Sequence, residues 1–125
     1  MSINQWKVLV VEDEFDSAQM MSLILKHYGI EVEVAHNGKE CLQALEGGLP
    51  TAIVLDLMMP EMDGWVTLQK IRSNRATAQL PVVAVTAYYS VEIAAEAQRA
   101  GFDGFFHKPV SPATFVESLE KIIQQ

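Results

Sequence analysis

Cysteine, basic side chains and long apolar runs are what this 125-residue chain has least of. Its single cysteine, Cys41, excludes an intramolecular disulfide and any metal site built from several thiolates. Nine Lys and Arg stand against sixteen Asp and Glu, a formal net charge of −7, so the basic face that a nucleic-acid grip needs is missing. No apolar run approaches the roughly 18 residues of a membrane span. The residues from Met1 to Gln5 lack the basic and apolar regions of a signal peptide. Neither GxGxxG nor GxxxxGKS/T occurs, which removes nucleotide binding in the Rossmann or P-loop manner. The expectation is an acidic, cytoplasmic protein that makes no direct contact with nucleic acid or membrane.

What is present is enough for one core. The length is that of a single domain, which buries about two thirds of its unfolded surface. Half of the residues are hydrophobic and a fifth are charged, which argues against disorder. Short β-branched or apolar runs alternate with helical spacing along the whole chain. Lys7–Val11 reads as a strand buried on both faces, and 15–28 as a helix that Gly29 ends. Glu31 to Ala35 alternates like a half-exposed edge strand. Asn37-Gly38 reads as a turn before a short helix to Leu45. Ala52 to Leu55 is a third strand ending at Asp56, and Pro60 and Gly64 bracket a loop before a helix through Leu68 and Ile71. Pro81 to Val85 is a fourth strand stopping at Thr86, followed by a helix from Val91 to Ala100. Asp103 to His107 is a short fifth strand. Ser111 and Pro112 stand where an N-cap and a first helical proline belong, before a last helix to Ile123.

Strand then helix, five times over, predicts right-handed crossovers and a parallel sheet covered on both faces. The economical order is 2-1-3-4-5, a doubly wound three-layer α/β fold of five strands and five helices. Ligands of such sheets bind beyond the carboxyl ends of the strands. Those ends carry Glu12 and Asp13, Asp56, Thr86 and, near the fifth strand, Lys108. Carboxylates gathered at one corner repel: two unit charges about 4 Å apart cost roughly 4 kcal/mol at an effective dielectric near 20. Lys108 or a hard divalent cation such as Mg²⁺ would offset this. No Ser-His-Asp or Cys-His constellation can be placed at the rim. A carboxylate nucleophile with a metal, a hydroxyl and a lysine suits phosphoryl transfer onto an aspartate.

Four pieces, in order and at family-like spacing, resemble the receiver domain of two-component response regulators, in the stand-alone form of the chemotaxis regulators. They are VLVVEDE (Val8 to Glu14), IVLDLMMPEMDG (Ile53 to Gly64), PVVAVTA (Pro81 to Ala87) and HKPVS (His107 to Ser111). The resemblance runs from Lys7 to Ile123 and implies a flavodoxin-like fold. With the last helix expected to end near Gln125, the chain reads as one receiver domain over 1–125 without an effector domain, or as a receiver separated from its effector.

For the site, the resemblance implies Asp56 as phosphoacceptor for a sensor histidine kinase or histidine phosphotransfer protein. Asp13 would be the direct Mg²⁺ ligand, Glu12 the acidic neighbour that acts through water, and the Met58 backbone carbonyl a further ligand. Thr86 would be the switch hydroxyl and Lys108 the phosphoryl contact. The Lys108–Pro109 bond would be cis. Phe105 would be the switch aromatic, and the output a changed protein-binding surface on the fourth helix, fifth strand and fifth helix, read by a downstream protein target. Met58 and Tyr88, two residues beyond the acceptor and the switch threonine, stand where the family tunes the lifetime of the phosphoryl group. An apolar Met58 implies slow self-dephosphorylation. Phe105 replaces the commoner tyrosine, and Phe102 stands where the family has a small residue.

Two other readings use the same residues. A haloacid-dehalogenase-type phosphohydrolase also has an aspartate nucleophile, Mg²⁺, a hydroxyl and a lysine. It carries a second aspartate two positions on, where this chain has Met58, and its nucleophile follows the first strand, not the third. A pseudo-receiver would bind partners without phosphorylation, against which stands the complete set of Asp13, Asp56, Thr86 and Lys108. Plainer roles are expected elsewhere: Glu14 and Asp16 as an acidic helix start, Cys41 as an inert buried thiol and Met58-Met59 as packing. The three histidines lack ligand spacing. Strand alternation predicts that one of Phe105 and Phe106 faces outward.

Overall fold

The computed structural model describes residues 2–124. After a short 3₁₀ turn, Ile3–Gln5, come β1 (Lys7–Val11), α1 (Phe15–His27), β2 (Glu31–Ala35), α2 (Gly38–Glu46), β3 (Ala52–Asp56), α3 (Gly64–Ser73), β4 (Val82–Thr86), α4 (Val91–Ala100), β5 (Gly104–His107) and α5 (Pro112–Ile123). The strands form one parallel sheet in the order β2-β1-β3-β4-β5.

The β-branched runs fill the centre of the sheet because a parallel sheet buries both faces. β3 and β4 are buried at every position, and β2, at the edge, alternates exposed Glu31 and Glu33 with half-buried Val32 and Val34. Period-two alternation splits the core into two layers. Leu9, Val11, Ile53, Leu55, Val82 and Ala84 pack on α2, α3 and α4, with Cys41, Leu68 and Ala97. Val8, Val10, Val54, Val83 and Val85 pack on α1 and α5, with Leu25, Phe115 and Leu119.

Three helices start on side-chain caps that accept orphan amides. The Asn37 Oδ1 accepts from the Glu40 amide at 2.8 Å, Asp63 Oδ1 from Val66 at 3.0 Å and Ser90 Oγ from Ile93 at 3.0 Å. Asn37 is therefore a helix cap and not a turn residue. Ser111 occupies the cap of α5 but makes no side-chain cap bond. Gly29 (φ 81°) and Gly101 (φ 111°) end α1 and α4 in the left-handed region where glycine carries no Cβ penalty.

β4 begins at Val82 rather than Pro81, and β5 at Gly104 rather than Asp103. Both preceding residues still contribute to the ladder: the Ile53 amide donates to the Pro81 carbonyl at 2.9 Å and the Asp103 amide to the Val82 carbonyl at 2.7 Å. Neither Phe105 nor Phe106 faces solvent fully. Both are half-buried, one in each core layer, because helices cover both faces of the sheet. Phe102 fills the core beside Trp65, ring edge to ring face at 5.8 Å. At the opposite end of the sheet from the acidic residues, Arg72 donates to the carbonyls of Ala78, Leu80 and Gly101 and to the Asp103 carboxylate. Cys41 is fully buried, and burial pushes its thiol up to about 12. It carries no thiolate chemistry.

Candidate functional site

Each site residue is set by one rung of hydrogen bonding at the carboxyl end of a strand. The Glu12 amide extends the β1–β2 ladder to the Ala35 carbonyl at 2.9 Å. The Leu57 amide extends β3 onto the Val85 carbonyl at 3.0 Å, and the Lys108 amide extends β5 onto the Thr86 carbonyl at 2.8 Å. Register does the rest. Asp56 pairs with Val85, and Thr86 with His107. Glu12, Asp56, Thr86 and Lys108 thus arrive at one corner from four strands.

Glu12 (0% exposed), Asp56 (3%) and Thr86 (1%) are buried, whereas Asp13 is exposed. The Lys108 ammonium is shared: Nζ donates to the Glu12 Oε1 and, at 3.3 Å, to the Asp56 Oδ2. The second oxygen of each carboxylate takes a backbone amide, Glu14 N–H to Glu12 Oε2 at 3.2 Å and Met58 N–H to Asp56 Oδ1 at 3.1 Å. The Thr86 hydroxyl accepts from the Tyr88 amide at 3.1 Å. The Lys108–Pro109 peptide bond is cis. The cleft lined by Glu12, Asp13, Asp56 and Lys108 holds about 310 Å³, and exposed Met58 and Tyr88 stand at its edge. Met59 packs in the core, but Met58 is 59% exposed, so only half of the Met58-Met59 pair is packing.

Gly64 sets the floor. A Cβ there would fall 2.4 Å from the Asp56 carbonyl oxygen and 2.8 Å from the Leu57 Cα, so α3 approaches the end of β3 this closely only with glycine. The Gly64 amide bonds the Leu57 carbonyl at 3.1 Å. In the sequence Gly64 closes the IVLDLMMPEMDG motif and bounds a loop, but the close approach itself is a property of the fold.

The electrostatics are those of a charge deficit. Burial, with the neighbouring Asp56 carboxylate, pushes the Glu12 carboxyl up to about 8 against the pull of Lys108. Burial alone would lower the Lys108 ammonium. The Glu12 hydrogen bond and the charges of Asp56 and Glu12 outweigh it and raise the group. Ligand oxygens of Glu12, Asp13 and Asp56 lie within 4.8 Å of one another. Three carboxylates against one ammonium fit a hard divalent cation that takes oxygen ligands. Glu12 would help to hold the ion, directly or through water, only without its proton. Mg²⁺ affinity is therefore expected to rise with pH up to about 8 and level off above. Calorimetric titration in buffers of different ionisation enthalpy at pH 6.5 would show proton release on binding; an affinity flat from pH 6 to 9 would contradict this.

The comparisons with known proteins agree with this geometry. Residues 8–120 match the model of the response regulator receiver domain. The chain belongs to that family. A protein of Leptolyngbya boryana described as an uncharacterized 14.6 kDa protein in the sodA1 3′ region is 36% identical over 120 residues, 96% of this chain and 92% of that one. Regulatory protein AtoC of Escherichia coli (strain K12) is 34% identical over 119 residues. The match covers 95% of this chain but 24% of that protein's length. The crystal structure of a putative response regulator from Chloroflexus aurantiacus superposes with a TM-score of 0.91 at 29% identity, covering 96% of this chain and 98% of the other. The receiver domain is a signalling module of two-component systems, not a conventional enzyme. Among the described residues no helix is long and apolar enough to cross a membrane.

Proposed function

We propose that this receiver domain is a phosphoacceptor switch, taking a phosphoryl group from a histidine kinase or phosphotransfer protein onto Asp56 and passing the signal to a protein target. The observation that carries the reading is the shared ammonium: one Lys108 Nζ between two buried carboxylates, with Asp13 in the same cluster. Glu12, Asp13, Asp56 and the Met58 carbonyl would hold Mg²⁺. When bound, the ion supplies charge neutralisation for the transferring group.

The rest falls to side chains of this chain. An Asp56 carboxylate oxygen attacks phosphorus, forming the P–O bond as the P–N bond to the donor imidazole breaks. The electron pair and a proton go to the imidazole nitrogen. Lys108, already beside the nucleophile, exchanges its carboxylate contacts for a phosphoryl oxygen. The Thr86 hydroxyl keeps its proton free, since in the resting site it accepts from Tyr88, and it donates that proton's bond to another phosphoryl oxygen. The added charge shifts a conformational equilibrium because these two groups bind it in one state better than in the other. The responding surface would be α4, β5 and α5, with Phe105 and Tyr88 as its switching and contact residues.

The test is intact mass after incubation with phosphoramidate and Mg²⁺. A gain of one phosphoryl group, absent with EDTA and mapped to the Asp56 peptide, supports the reading. No gain with phosphoramidate, acetyl phosphate or a phosphotransfer protein would leave a module that binds partners unphosphorylated. Met58 sets a further expectation. Its thioether offers an attacking water no strong hydrogen bond, whereas an asparagine amide would. Met58→Asn is expected to shorten the phosphoryl half-life by roughly tenfold, about one hydrogen bond to the transition state. A half-life of seconds in the parent chain that lengthens in the variant would overturn this.

A further inference from the structure

The loop between β4 and α4, residues 87–90, follows the Thr86 hydroxyl and carries two exposed tyrosines, Tyr88 (65%) and Tyr89 (55%). It nevertheless lies against β5. The His107 Nε2–H donates to the Ala87 carbonyl at 3.2 Å, since a carbonyl only accepts. The Tyr89 ring covers both Phe105 and His107, its centroid 5.8 Å from each. One residue further in, the Tyr88 amide is bonded to the Thr86 hydroxyl. The two ends of this arrangement are one chain segment apart. A movement of Thr86 would therefore be passed through the chain to the Ala87–His107 contact and to the Tyr89 ring.

We propose that His107 is a positioning residue: it clasps the β4–α4 loop onto β5 and holds the Thr86 segment in the resting conformation. The link to phosphorylation rests on the function proposed above, while the clasp itself is a property of the unphosphorylated chain. His107 touches no reacting group. It acts through Ala87 and Tyr89, and the Tyr89 ring covers Phe105, the aromatic whose movement would carry the signal. Phe105 has no phenolic hydroxyl, so packing alone sets its position, with the core on one side and Tyr89 on the other.

His107→Phe keeps a flat ring for Tyr89 to cover but removes the donor. His107→Gln keeps a donor of similar reach. In the unphosphorylated protein, His107→Phe is expected to speed amide exchange at Tyr88 by about fivefold, the effect of one neutral hydrogen bond, and His107→Gln to restore it to within about twofold. The rate of phosphoryl uptake from phosphoramidate should rise by about the same factor in His107→Phe, because more of the chain rests in the competent state. Tyr88 exchange unchanged in a folded His107→Phe protein overturns the clasp. So does faster exchange in which His107→Gln behaves like His107→Phe. Faster exchange in His107→Phe, together with no phosphoryl uptake by the parent chain, upholds the clasp and overturns the phosphoacceptor reading instead.

Discussion

Asp56→Asn is expected to abolish phosphoryl uptake and, in the same protein, to stabilise the metal-free fold by about 1 kcal/mol. The two effects have one origin. Glu12 and Asp56 are buried side by side and share a single ammonium. Asparagine keeps the shape, and its carbonyl oxygen can still accept the Met58 amide that now bonds Asp56 Oδ1. What goes is one negative charge from a corner that has too many. Repulsion of roughly 4 kcal/mol at 4 Å sets the upper scale. The lost contact to Lys108 and the proton that Glu12 takes up both reduce the net gain.

The pH dependence fixes the sign. Glu12 ionises near 4.5 when unfolded and about 8 in the metal-free fold. Between those values the folded chain binds more protons, so stability falls as pH rises. Asparagine removes part of what raises Glu12, so the fall should flatten and the gain should be larger at pH 8.5 than at pH 6. Urea unfolding with EDTA at the two pH values measures this. Mg²⁺ should reverse the ranking, since the parent chain has the fuller ligand set and gains more from the bound ion. A variant less stable than the parent at pH 8.5 without metal would mean that Lys108 already neutralises the corner.

Much of this corner is legible in the sequence because a parallel α/β sheet turns chain order into position. A β-branched run ending in Glu12-Asp13 or Asp56 fixes both the strand and the polar group at its carboxyl end. Val85 and Thr86 follow from the same rule. The limits of that reading are equally physical. Alternation expects one of Phe105 and Phe106 outside, but on a sheet covered on both faces alternation selects a core layer, not solvent. Asn37-Gly38 reads as a turn, whereas the Glu40 amide that Asn37 accepts makes it a helix cap. The tight approach of Gly64 to the Asp56 carbonyl joins residues eight apart by the path of a loop. The contact of His107 with Ala87 joins β5 to the loop that follows β4, across a register no local pattern gives.

Lys108→Ala is expected to move two quantities in opposite directions. Phosphoryl uptake should fall roughly a hundredfold, since in the proposed mechanism Lys108 meets the developing phosphoryl charge, and such a preorganised contact carries several kcal/mol in a buried site. Mg²⁺ affinity should rise by about tenfold, because the ammonium that competes with the ion for Glu12 and Asp56 is gone. The metal-free fold loses stability, for a buried carboxylate pair without its cation is costly. The loss stays below the 3–5 kcal/mol of a broken buried pair, because Glu12 can hold a proton at neutral pH. Saturating Mg²⁺ then restores most of the stability while uptake stays low. That separation matters: a lysine that merely held the corner together would return both stability and uptake once the ion replaced its charge. Uptake from phosphoramidate at the parent rate in saturating Mg²⁺ would show that Lys108 neutralises carboxylates and contributes nothing to phosphoryl transfer.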